Sequence, residues 1–115
     1  MRDDRLWLLD ILEAAARIEE HAAKGREAFL RDEFLQVWML HHLQIIGEAA
    51  AGLSQGLRAR HPQPSWRAAI ALRNVVVHQY FVLDLEEIWK AVTVHLPPFK
   101  RQVQQILAEI GSQGI

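Results

Sequence analysis

The sequence contains no cysteine, which removes disulfide staples, thiolate zinc sites and a thiol nucleophile from consideration at once. It also has no apolar run approaching the ~20 residues that a membrane span needs. Its first ten residues, MRDDRLWLLD, place acids where a signal peptide carries a basic region. Neither export nor spanning is indicated, and a cytoplasmic protein with no membrane partner is expected. Strand-like alternation, hairpin turn signals, internal repeats and low-complexity tracts are missing as well. What remains is a chain of 115 residues, 50% hydrophobic and 23% charged, with a net charge of -1. Those proportions fit one globular domain over residues 1–115 with a core of its own.

One absence is local. Between Glu48 and Asp84 there is no carboxylate, whereas the same segment holds Arg58, Arg60, Arg67, Arg73, His61 and His78. An island of this kind in a nearly neutral chain focuses positive potential and attracts a phosphate-bearing partner. The alternative is that acids from elsewhere in the fold neutralise it.

The periodicity throughout is helical. Leu8, Ile11, Leu12, Ala15 and Ile18 form one stripe on a helix over residues 4 to 23, which Lys24-Gly25 stops. Asp32 caps a second helix over about 33 to 53. There Phe34, Val37, Trp38, His41, Ile45 and Glu48 share one face, and Leu35, Met39, Leu43, Ile46 and Ala50 another. A helix apolar on two sides is central in its domain or shared with a partner chain. Gly52 and Gly56 lead into a loop marked by His61-Pro62-Gln63-Pro64. Ser65 caps a third helix from Trp66 to about Phe81, and Asp84 a fourth that Pro97-Pro98 ends. A last helix from Pro98 carries Val103, Ile106, Leu107 and Ile110 to Gly111. The expected fold is all-α, an up-and-down bundle of four to five helices.

The third helix contains Arg73-Asn74-Val75-Val76-Val77-His78-Gln79-Tyr80. An imidazole titrating near neutrality can take a proton from a ribose 2′-hydroxyl or return one to a leaving 5′-oxygen. A guanidinium can grip the phosphate with two hydrogen bonds and stabilise its developing charge. Arg73 and His78 therefore suffice for RNA cleavage with the neighbouring 2′-oxygen as nucleophile. No carboxylate cluster or His-Glu-x-x-His spacing suggests a metal, and no metal or other cofactor is expected. Five residues separate the two by about 140° on an ideal helix. A cleft lined by two copies of the motif, across a homodimer axis, would bring them together. By themselves, an arginine and a histidine on one helix are a weak signal, more often a surface ion-pairing group and a satisfied half-buried imidazole than a nuclease site. Glu48 is either an ion-pair partner that orients an interior arginine such as Arg73, or a direct catalytic acid; the first fits better, because orienting a guanidinium needs a carboxylate. Trp38, Trp66 and Trp89 fit core positions, and His21, His61 and His95 solvent-facing or loop positions.

From roughly residue 3 to 100 the chain resembles the HepT-like toxins of the HEPN superfamily. The resemblance rests on Leu9-Asp10-Ile11-Leu12-Glu13-Ala14, Ile46-Gly47-Glu48-Ala49, Pro64-Ser65-Trp66-Arg67, Arg73-Asn74 through His78-Gln79-Tyr80, and then Asp84 and Trp89. It implies a HEPN-like helical homodimer whose paired Arg-polar-x3-His motifs cut RNA, with Arg73, Asn74 and His78 as the catalytic set. It also implies a type VII toxin-antitoxin pair with an MntA-like minimal nucleotidyltransferase as antitoxin. In that family the tyrosine two residues after the histidine receives AMP units that silence the nuclease, a role that falls on Tyr80. A different class of function remains open: a non-catalytic helical subunit that binds such a transferase and helps present nucleotide or substrate.

Overall fold

A computed structural model describes residues 2–74 and 84–113. Every regular element among them is helical. α1 (Asp4–Ala22) starts at Asp3, whose side chain accepts from the Arg5 amide, and of its expected stripe Leu8, Ile11, Ala15 and Ile18 are at 0% exposure while Leu12 is half-buried. Gly25, at φ +94°, turns the chain where side-chain-bearing residues are strained. A short α2 (Arg26–Arg31) then precedes α3 (Glu33–Gly52). Asp32 caps α3 by accepting from the Leu35 amide at 3.2 Å.

α1 and α3 lie antiparallel. At one end Asp4 accepts from the Ser54 amide and hydroxyl at 2.8 and 2.7 Å, and at the other the His21 ring meets Trp38 edge-on at 5.1 Å. Beyond Ser54 runs α4 (Gln55–Arg60), and Ser54 caps it through the Leu57 amide. The sequence pattern over Gly52–Gly56 reads as a loop, and six residues are too few for periodicity to reveal a helix.

α5 (Trp66–Ala71) begins where expected, although the Ser65 side chain makes no cap hydrogen bond. It leaves the α-helix before Arg73 and Asn74, the two motif residues that are described. After Ala71 it tightens into a 3-10 turn, η1 (Leu72–Asn74). The 140° separation between Arg73 and His78 assumes an ideal α-helix over residues 73–78, most of which, like the rest of the expected third helix to Phe81, lies outside the described residues.

The second half differs from expectation in another way. α6 (Leu85–Lys90), a π segment (Ala91–His95) and α7 (Leu96–Gln113) follow one another without a break. Asp84 caps the run through the Glu87 amide, as anticipated. Pro97-Pro98 does not end the helix. The Leu96 amide reaches back five residues to the Ala91 carbonyl, and this wider turn accommodates two residues that lack N–H groups and crowd the preceding carbonyls. The bundle thus comprises seven α segments among the described residues, with α1, α3 and the Leu85–Gln113 run as its long members.

The core joins Leu8, Ile11 and Ile18 of α1 to Phe29, Met39, Ile46 and Val103, each at 0% exposure. Trp38, Trp66 and Trp89 pack on it, as their spacing predicts. Phe29 stacks tilted against Trp89 at 5.3 Å, and Arg26 pairs with Glu86 beside them. Gln36, buried in α3, donates to the Phe29 and Leu30 carbonyls at 2.9 and 3.3 Å and so satisfies the end of α2. Of α3's two apolar faces, Leu35, Met39, Leu43, Ile46 and Ala50 are buried, whereas Phe34 is 89% and Val37 54% exposed. No described helix is long and apolar enough to cross a membrane.

Candidate active site

Arg73 stands in the middle of η1 with an exposed side chain, and Asn74 closes the same turn. His78 and Tyr80 lie outside the described residues. Behind Arg73, η1 rests on α3 at Gly47. A Cβ placed on Gly47 would lie 3.0 Å from the Ala69 carbonyl oxygen, 3.1 Å from Arg73 Cα and closer still to the Arg73 amide nitrogen. The two backbones are packed as tightly as a glycine allows. Between α3, η1 and α7, an apolar cavity of about 160 Å³ lined by Leu43, Ile46, Ala69, Leu72, Leu96 and Phe99 lies behind the motif turn.

Glu48 follows Gly47 yet does not pair with Arg73. It is exposed on α3, and its carboxylate makes no ion pair with a described residue. The expected Glu48–Arg73 contact is absent here because α3 meets η1 through the Gly47 backbone, whereas the next residue, 100° around the helix, points elsewhere. Glu48 instead lines a groove of about 290 Å³ with Trp7, Asp10, His41 and Ile45.

The arginines of the island are not neutralised by the described acids. Arg60, Arg67 and Arg73 are exposed, and Arg58 is half-buried with its Nε unpartnered. None of the four makes an ion pair among the described residues, whereas Arg2, Arg17, Arg26, Arg31 and Lys100 all do. Asp10, hydrogen-bonded to Arg2, raises that guanidinium's pKa further above its ordinary value. Among the described residues of the island only His61 meets an acid: it is tucked in rather than solvent-facing, and its Nδ1 lies 3.6 Å from Glu109.

The two histidines of α3 touch edge-on at 5.2 Å but sit in different settings. His41 is exposed, and His42 is buried with Nδ1–H donating to the Trp38 carbonyl at 2.8 Å. The Trp38 ring lies between His42 at 4.3 Å and His21 at 5.1 Å, an aromatic packing group rather than a proton shuttle. Among the described residues no cluster of three or more His, Asp or Glu side chains could hold a metal ion.

Gly47 is the residue that chemistry-led reading of the sequence passes over. Its signal was a lone glycine inside an apolar helix, next to the inward-facing Ile46, a place where packing usually explains its presence.

The chain matches the family profile "Ribonuclease HepT-like" over residues 11–106. It is 31% identical over 104 residues to a provisionally named RNase of Methanocaldococcus jannaschii, covering 90% of this chain and 95% of that one. To the "Probable ribonuclease HepT" of Thermococcus cleftensis it is 32% identical over 106 residues, 91% of this chain and 96% of the relative. A provisionally named RNase of Caldanaerobacter subterraneus is 31% identical over 108 residues, covering 93% and 96% of the two chains. No solved structure matches the chain.

Proposed function

Since the chain belongs to the HepT-like ribonuclease family, we propose that it is a metal-independent endoribonuclease, the toxin of a type VII toxin-antitoxin pair, acting as a homodimer. The observation that carries the reading is Arg73: an exposed guanidinium without a described acidic partner, on a backbone pinned to the core, inside an arginine island left open to a polyanion. Such a group can grip a phosphate without first giving up an ion pair.

In the proposed reaction His78 takes the proton of the ribose 2′-hydroxyl. The 2′-oxygen attacks phosphorus, the P–O5′ bond breaks, and the protonated His78 or its counterpart in the second copy returns a proton to the 5′-oxygen. The product ends in a 2′,3′-cyclic phosphate. Arg73 stabilises the charge gathering on the phosphoryl oxygens, and Asn74 orients the scissile group. Glu48, unpaired among the described residues, is available to the second copy or to the substrate.

The second copy is proposed to dock on the outer face of α3. That helix is the packing hub of the single chain, resting against α1, α2, α5 and η1, yet its Phe34 and Val37 side is left to solvent, a disposition that suits an interface. AMP units added to Tyr80 by an MntA-like nucleotidyltransferase would place bulk and negative charge beside the cleft and exclude RNA phosphate.

The test is cleavage of RNA by the purified chain in excess EDTA, alone and after incubation with the transferase and ATP. Arg73→Ala and His78→Ala should each slow cleavage by roughly 10²–10⁴-fold with helical content unchanged. Mass gains in AMP steps should vanish in Tyr80→Phe, an unambiguous assignment because the chain has one tyrosine. Full activity in either alanine variant refutes the catalytic assignment. A wild-type chain that binds the transferase but never cuts RNA points instead to the non-catalytic subunit.

A further inference from the structure

We infer that Gly47 is the positioning residue for the motif arginine: the bare backbone of α3 at this point is the seat that sets where Arg73 stands. The inference rests on the reading of Arg73 as the phosphate-gripping residue, and it adds a part of the site two elements away in sequence.

Conformation does not explain this glycine. Gly25 is the only described glycine with positive φ, whereas Gly47 is helical and buried in the middle of α3. There a glycine costs about 1 kcal/mol of helix propensity relative to alanine. Space does explain it. The three atoms nearest a Cβ at this position are the Arg73 amide nitrogen, the Ala69 carbonyl oxygen at 3.0 Å and Arg73 Cα at 3.1 Å. All three are backbone, so no rotamer change can relieve the contact; α5 and η1 would have to move away from α3.

That movement falls on the residue the chemistry depends on. Among the described residues the Arg73 side chain has no ion-pair partner, so its guanidinium is located by its backbone. The chain also leaves the α-helix at this point, with Ala71 the last α residue and Leu72–Asn74 a 3-10 turn over Gly47. Restoring ordinary van der Waals separation requires a shift on the order of 1 Å, and a displacement of that size at a positioned group costs about 10²-fold in rate.

Gly52, one and a half turns further along the same helix, supplies a matched control. A Cβ there meets the Trp7 ring, with Cζ2 at 2.7 Å and Cδ2 at 2.8 Å. The distances are as short, but these atoms belong to a side chain that can turn aside, and the contact falls at the α1 end of the helix and leaves η1 alone.

The experiment compares Gly47→Ala and Gly52→Ala in the full chain, with cleavage measured from subsaturating to saturating RNA, normalised to folded dimer, and hydrogen exchange followed over residues 66–74. Gly47→Ala should lower kcat by roughly 10- to 100-fold and speed exchange over 66–74. Gly52→Ala should keep kcat and that exchange near wild type even where its Tm falls as far. Equal losses in the two variants, or a Gly47→Ala kcat close to wild type, overturn the inference. Should Gly47→Ala fail to fold, exchange in the wild-type chain decides: amides at 72–74 should be protected like those at 46–50, and exchange at loop rates overturns it. A wild-type chain that cuts no RNA defeats the nuclease reading, and the exchange comparison still decides whether Gly47 holds Arg73.

Discussion

Replacing Phe34 should break the proposed dimer while leaving the single chain folded. The phenyl ring is 89% exposed, so in an isolated chain its truncation removes almost no packing and should change folding free energy by no more than about 0.5 kcal/mol. Its backbone is held independently, because Asp32 caps α3 through the Leu35 amide. In a two-fold interface every contact occurs twice. Burying a phenyl side chain stabilises by about 1.5–3 kcal/mol, so Phe34→Ala should weaken the dimer by about 3–6 kcal/mol. That is roughly two to four orders of magnitude in Kd. Sedimentation velocity over a concentration series measures it directly. Wild-type Tm should rise with protein concentration, and this dependence should flatten in the variant. RNA cleavage should fall with the dimer population if, as proposed, the cleft takes one motif from each copy. A Phe34→Ala chain that dimerises as tightly as wild type refutes the assignment of this face, and a wild-type chain monomeric at every concentration refutes the dimer.

The open arginine island predicts strong salt dependence. If Arg58, Arg60 and Arg67 meet RNA phosphates, replacing all three with alanine should lower the slope of log affinity against log salt by about 2, from ~0.7 per single-strand phosphate contact. Filter binding with a 2′-deoxy analogue at several salt concentrations measures it, and an unchanged slope removes these residues from the interface. In the core, Gln36→Met keeps the volume but deprives the Phe29 and Leu30 carbonyls of their donor. It should cost about 1–3 kcal/mol in chemical denaturation; a neutral result would mean that water satisfies both carbonyls.

Much of the fold was legible wherever a local rule carried the information. The α1 stripe needs only side-chain spacing, and Leu8, Ile11, Ala15 and Ile18 are all inside. Asp32 and Asp84 cap as their positions before apolar runs imply. Short elements escaped, because six residues in α2 or α4 complete fewer than two turns. Pro97-Pro98 misled because the rule that proline ends a helix assumes an α register, and the π turn before it changes that register. For the site, residue types suggested chemistry but not contact. Arg73 proved open as the island implied, whereas Glu48, paired with it by chemical logic, faces away.

The sequence by itself determined that this is an all-helical HepT-like chain with an acid-free arginine island around one Arg-x4-His motif. Those properties reside in periodicity, composition and residue order, which need no third dimension. Tertiary structure alone decided that α3 buries one apolar face and leaves Phe34 outside. It alone set η1 on Gly47 rather than on Glu48. The reason is that which face turns inward, and which backbone atom meets which, follows from how helices distant in sequence share one volume, and no local pattern encodes that.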